Sequence, residues 1–172
     1  MTATRPVMLT TLARVVLGIA FLLIGGGILW YGISAETHSR MWRDIFDRPG
    51  GPMTFRFILQ PVMAAIAAFA DGVRDARTGR SSYIRTIITR PEKSAARLTE
   101  GLNATARVLL LGIGMDAIYQ FRVFGTFYPG EALVISFALA FIPYVVMRDV
   151  ATHLARWWIR SHQADSAGRT EG

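Results

Sequence analysis

The chain has 172 residues, a net charge of +7, 52% hydrophobic and 18% charged residues, and no cysteine. That length fits one domain, and the missing cysteines exclude disulfides, thiolate metal sites and cysteine nucleophiles. The charges sit between a few long apolar blocks, as a bilayer requires when a charge at the centre of a spanning helix costs roughly 2.5–3.5 kcal/mol. The basic residues flank those blocks, so membrane topology accounts for the net charge without a nucleic-acid partner.

The first block, Val15 to Ile33, is nineteen uncharged residues preceded by Arg5 and Arg14. At 1.5 Å per residue it reaches about 28 Å, close to a hydrocarbon core of roughly 30 Å. It is longer than a signal-peptide core and no Ala-x-Ala site closes it, so a retained signal anchor is expected. Trp30 and Tyr31 mark its far end at headgroup level. A polar stretch follows, in which Met41-Trp42 and Ile45-Phe46 suggest a short helix on the membrane surface. Pro49-Gly50-Gly51-Pro52 stops it.

The second block, Phe55 to Ala70, contains Arg56 and Gln60-Pro61. Arg56 lies near the end, where it can snorkel, and neighbouring helices can satisfy the backbone groups that Pro61 frees. A basic segment follows, with a helix expected to start at Pro91 and to run into the third block, Val108 to Phe121. Glu92 suits the positive end of that helix. The turn Phe124 to Gly130 then makes a tight hairpin with the fourth block, Ala132 to Met147, which Pro143 interrupts. Beyond Ser161 the tail is small and polar, and disorder is expected.

Loop charge decides the number of spans. With four, at about 15–33, 55–71, 106–122 and 132–147, fourteen basic residues fall on the side of the amino terminus and four on the other, counting Arg107 and Arg122 as flanking their span and leaving Arg56 inside one. With only the first and last blocks crossing, thirteen would lie outside. The positive-inside rule selects four spans with both termini cytoplasmic. The expected fold is therefore an all-α integral membrane protein: a helical domain over 1–160, with a basic cytoplasmic segment at 72–105, and a disordered tail over 161–172. The bacterial inner membrane is its expected location.

Small residues recur at helical spacing. Gly18, Gly25 and Gly32 line the first span, Ala64, Ala68 and Gly72 the second, and Ala132, Ser136 and Ala140 the fourth. Such stripes let backbones approach, either within the bundle or against another membrane protein or a second copy. Asp116 is an ionisable group inside a span, a functional candidate by default. Tyr119 and Gln120 share its helix face, and Gln60 is a potential partner across the bundle. The alternatives are a proton- or cation-handling site and a polar clamp that pairs Asp116 with Arg122 or Arg56.

The string Asp71-Gly72-Val73-Arg74-Asp75-Ala76-Arg77-Thr78-Gly79-Arg80 resembles the cytoplasmic loop motif of major facilitator transporters at Gly72, Arg77, Gly79 and Arg80. Asp75 stands one position early and the chain is about a third of that family's length. The likeness therefore implies only acid–base pairs closing a helix before a glycine turn. Arg74, Arg77 and Arg80 are also placed to meet anionic headgroups. More widely, Arg56-Phe57, Gln60-Pro61, Asp71-Gly72, Arg74-Asp75-Ala76-Arg77 and Phe127-Tyr128-Pro129-Gly130-Glu131-Ala132 form a pattern that resembles uncharacterised small bacterial inner-membrane proteins. The resemblance spans roughly residues 53–158 and implies a class without an activity.

His38, His153 and His162 all lie outside the spans, which excludes bis-histidine haem within the bilayer. There is no Walker-type loop and no nucleophile triad or metal-ligand spacing, so no cofactor is expected. Asn103-Ala104-Thr105 fits a glycosylation sequon on the cytoplasmic side, where it has no use. The leading expectation is a non-enzymatic accessory or scaffold subunit of a membrane complex. The alternative is a small oligomeric proton- or cation-coupled transporter using Asp116.

Overall fold

The computed structural model describes residues 7–32, 34–50 and 54–168; Arg5, Ile33, Gly51-Pro52 and the last four residues of the tail lie outside the described residues. Six α-helices and one 3-10 turn make up the regular structure, with no strand among the described residues. They are α1 (Thr11–Tyr31), α2 (Ala35–Asp47), the 3-10 turn Arg48–Gly50, α3 (Arg56–Arg77), α4 (Tyr83–Thr89), α5 (Pro91–Val123) and α6 (Pro129–Gly168). Four of them, α1, α3, α5 and α6, are long and apolar enough to cross a membrane.

The starts of α1, α4 and α5 each have a local cause. Thr10 caps α1, its hydroxyl accepting from the Ala13 amide at 3.2 Å, as N-cap threonines do. Ser82 caps α4 through the Arg85 amide. Pro91 opens α5 with Glu92 in the first turn, where the missing N–H and the negative charge are both favourable. From there a single helix of 33 residues runs to Val123. At about 50 Å it exceeds a hydrocarbon core of roughly 30 Å. The α3 helix outlasts its hydrophobic block and ends only at Arg77. Thr78 then bonds back to the Arg74 carbonyl at 2.8 Å, and Gly79 takes a φ of 65°, a conformation that glycine adopts without steric cost.

The last helix is longer than its apolar core and continues to Gly168. Beyond Ser161 the chain is helical as far as Gly168. No proline or glycine interrupts the sequence between Met147 and that residue.

Long-range hydrogen bonds define two ends of the bundle. At one, Asn103 bonds to the Thr10 amide (2.8 Å) and the Met8 carbonyl (2.9 Å), tying the start of α1 to α5. This end also holds the α3–α4 turn and the last part of α6, and it is called the basic end below. At the other, the aromatic end, the Tyr31 hydroxyl donates to the Phe127 carbonyl (2.8 Å), and Tyr31 packs on Tyr128 with ring centroids 4.9 Å apart. Arg40 of α2 lies over the Tyr128 ring at 3.7 Å and pairs with Glu131 at 2.9 Å. Both ends of the described chain thus emerge at the basic end.

The α3 and α6 helices run side by side in the same direction and form the main interface. Ala64 and Ala68 on α3, and Ala132, Ser136 and Ala140 on α6, are fully buried. At Gly72 an added Cβ would come within 2.6 Å of the Arg148 carbonyl oxygen and 2.7 Å of the Ala151 Cβ. These small-residue stripes are internal packing: where backbones approach this closely, dispersion and close contact replace the hydrophobic drive that lipid withholds. The α1 helix is peripheral, with only Ala13 and Val16 buried, against Ala106, Val108, Leu109 and Ala140.

Candidate functional site

Two buried polar clusters lie at opposite ends of the bundle. At the aromatic end, Arg56 from the first turn of α3 meets Asp116 of α5, with Nη1 2.6 Å from Oδ1 and side-chain exposures of 2% and 0%. Gln120, one turn along α5, donates from Nε2 to Asp116 Oδ2 at 2.6 Å. The same amide donates to the Tyr128 carbonyl at 3.2 Å, while its Oε1 accepts from the Tyr128 amide. The cluster therefore joins α3, α5 and the hairpin through one carboxylate.

Asp116 and Gln120 share one helix face, and Tyr119 packs edge-to-face on Phe124 at 5.7 Å. Gln60 does not reach Asp116 directly. Its Nε2 donates to the Ser136 carbonyl at 3.2 Å. The side chain lies against Gly112, where an added Cβ would sit 2.2 Å from Nε2. Gln60 Oε1 and Ser136 Oγ are buried without a hydrogen-bond partner in the protein.

At the basic end the acid–base string becomes the middle of a larger network. Asp75 accepts from three arginines: Arg148 Nη2 at 2.8 Å, Arg97 Nη1 at 3.1 Å and Arg80 Nη1 at 3.2 Å. Glu100 pairs with Arg80 at 2.6 Å, Arg148 at 3.0 Å and Arg97 at 3.2 Å. Arg148, fully buried, stacks over Tyr83 at 4.5 Å and donates to the Tyr144 hydroxyl at 2.8 Å, which itself donates to Asp71 at 2.7 Å. Tyr83 donates to the Arg97 carbonyl at 2.7 Å. Burial pushes the Tyr83 phenol up to about 12 in spite of the positive charge of Arg148, so it acts as a fixed donor.

Asp149 completes this end. It accepts from Ser82 Oγ (2.7 Å) and the Tyr83 amide (2.5 Å), and so fastens α4 to α6. Asp71, Asp75, Glu100 and Asp149 are all engaged by the protein itself. The network is an electrostatic lock between α3, α4, α5 and α6. Among the described residues no cluster of metal-ligating side chains occurs.

The other residues singled out in the sequence fall as follows. Around Gly18, Gly25 and Gly32 nothing lies within 4 Å of an added Cβ. Of the α1 glycines, Gly27 faces the hairpin, 3.6 Å from the Gly130 amide nitrogen. Arg74 is exposed and pairs with Asp71 at 3.1 Å, Arg80 belongs to the lock, and Arg77 lines an apolar cleft with Trp157 and Trp158.

Sequence reasoning missed Arg97, Glu100, Arg148 and the tyrosines that hold them. The i,i+3 spacing of Arg97 and Glu100 was a local signal. Nothing local joins them to Arg148, which reads as an ordinary flanking charge. Comparison with family models, curated proteins and solved structures finds no match to this chain.

Proposed function

We propose that this protein is a non-enzymatic accessory or scaffold subunit of a bacterial inner-membrane complex, with four spans, cytoplasmic termini and α1 as the docking helix. The observation that carries this reading is the open glycine face of α1. Gly18, Gly25 and Gly32 recur every seven residues on a peripheral helix and meet nothing within the chain. Phe21, Leu22 and Leu29 stand exposed beside them. The matching stripes of α3 and α6 are used up inside the bundle, which leaves this one for a helix of another membrane protein. The two locks support a rigid holder, because both join several helices through buried charge.

The test is association in mild detergent, read by cross-linking and mass, beside thermal unfolding. A Gly18→Leu/Gly25→Leu chain should unfold at the wild-type temperature, because neither position has a neighbour, and should lose its partner or its second copy. Undiminished association would remove the docking role.

A second reading rests on the buried Gln60 Oε1 and Ser136 Oγ, which have no hydrogen-bond partner. They lie one turn from the Arg56–Asp116 pair, in the polar column that a proton- or cation-coupled transporter would use, with Asp116 as its coupling group. The two readings separate in a double variant. Asp116→Asn alone leaves the Arg56 charge buried, so it should destabilise under either reading. Arg56→Gln/Asp116→Asn removes both charges and should regain most of the stability. Wild-type proton or cation flux in proteoliposomes that is absent from the refolded double variant would establish the transporter; no flux from either protein would eliminate it.

A further inference from the structure

The basic end carries a cleft of about 610 Å³ between the α3–α4 turn and the last third of α6. Arg85, His153, Arg156 and Arg160 line it together with Ser81 and Ser82, and no carboxylate does. Arg156 is pinned in place by donating to the Arg80 carbonyl. Asp149, the acid one turn from His153, is engaged in capping α4. Arg85 and Arg160 are exposed, with no ion pair to any described carboxylate. Three guanidiniums are thus gathered on one concavity without a counter-charge, unlike Arg80, Arg97 and Arg148 on the inner side of the same turn. Planar guanidinium groups suit the oxygens of a phosphate, which they bind with paired hydrogen bonds.

A second cleft, of about 360 Å³, adjoins it and is apolar. Phe69 and Val73 of α3 and Leu154, Trp157 and Trp158 of α6 form its walls, and Ile159 borders both clefts. Trp157 and Trp158 are 71% and 57% exposed, as indole rings are where they settle at the headgroup level. A basic chamber and an apolar groove that share a wall at the membrane boundary match an amphiphile.

We infer that this double cleft binds an anionic glycerophospholipid, its phosphate held by Arg85, Arg156 and Arg160 and an acyl chain laid along Phe69, Val73, Trp157 and Trp158. The assignment differs from the sequence expectation, which looked to Arg74, Arg77 and Arg80. Of those three, Arg80 serves the internal lock, Arg74 pairs with Asp71, and Arg77 stands at the rim of the apolar groove.

The experiment uses the full chain, delipidated in a neutral detergent and titrated with dioleoyl phosphatidylglycerol, dioleoyl phosphatidylcholine or inorganic phosphate. Bound lipid is read by native mass spectrometry. Phosphatidylglycerol should bind at least tenfold tighter than phosphatidylcholine. Each arginine near an anionic headgroup contributes roughly fivefold, so Arg85→Gln/Arg160→Gln should weaken phosphatidylglycerol by about thirtyfold. Its thermal unfolding should match the wild type, because neither residue makes an ion pair. Arg107→Gln, which removes a charge elsewhere, should leave the affinity unchanged. Trp157→Ala/Trp158→Ala should weaken the lipid but not inorganic phosphate. Equal affinity for the two lipids, or an unaltered affinity in the arginine double variant, would overturn the site. Inorganic phosphate binding as tightly as phosphatidylglycerol, with no effect of the tryptophan variant, would make it a free-anion site and equally overturn the lipid assignment.

Discussion

Removing the charge of Asp75 is the sharpest test of the lock at the basic end. Its side chain is 1% exposed and faces Arg97 and Arg148, which are 5% and 0% exposed. Asp75→Asn keeps the shape and one acceptor but leaves two buried guanidiniums to share Glu100, while Arg80, at 39% exposure, can turn to water. Breaking a buried pair by removing one partner typically costs about 3–5 kcal/mol. In a chain of this size each kcal/mol moves the midpoint by about 2–4 °C. The expected fall in apparent Tm is therefore about 6–20 °C, measured by unfolding in a fixed detergent at neutral pH. Asp75→Asn/Arg97→Gln removes one charge of each sign and leaves Arg148 with Glu100, so it should regain part of the loss. A single variant that melts within about 2 °C of wild type would show that water already screens the cluster, and the lock would not be a structural element. A double variant less stable than the single one would refute charge balance as the reason for the network.

The remaining predictions concern packing, ionisation, anchoring and topology. Gly72→Ala places a methyl 2.6 Å from the Arg148 carbonyl oxygen, so α3 and α6 must separate; a destabilisation of about 1–3 kcal/mol is expected, read as a lower Tm. Tyr83 should resist ionisation until about pH 12. Because its folded value lies above the ordinary 10, the stability it contributes is complete below pH 10 and lost between about 10 and 12. Tyr83→Phe should flatten that alkaline loss and remove the late step in phenolate absorbance. Asn103→Ala removes both bonds to the start of α1, so amide exchange of Leu9 to Ala13 should quicken while the rest of the bundle keeps its protection. A topology reporter fused after Gly79 should read cytoplasmic and one after Gly130 periplasmic, and the reverse would invert the orientation.

The four long helices were legible in the sequence because their causes are local, whereas α4 was not expected. Apolar blocks of spanning length mark α1, α3, α5 and α6. Pro91 with Glu92 announces the start of α5, and Gly79 with Gly125, both at positive φ, marks two of the turns. The pairing of Asp116 with Gln120 follows from i,i+4 spacing alone. Which arginine would meet Asp116 was not decided locally: Arg122 is six residues away and Arg56 sixty, and the side-by-side placement of α3 and α5 chose the distant one. The glycine stripes show the same limit. Gly72 and Gly25 have the same signature, yet one is wedged against α6 and the other faces outward, since a spacing specifies a face and only the fold specifies what lies opposite. The charges at the basic end make the point most strongly. Arg80, Arg148, Arg156 and Arg160 all read as flanking cations. Tertiary packing buried Arg148 among Asp75 and Glu100, where its loss of water is balanced by carboxylates, and drew the half-exposed Arg80 onto the same two acids. It left the other two lining an unbalanced cleft, because no acidic side chain of α3 or α4 reaches that side of α6.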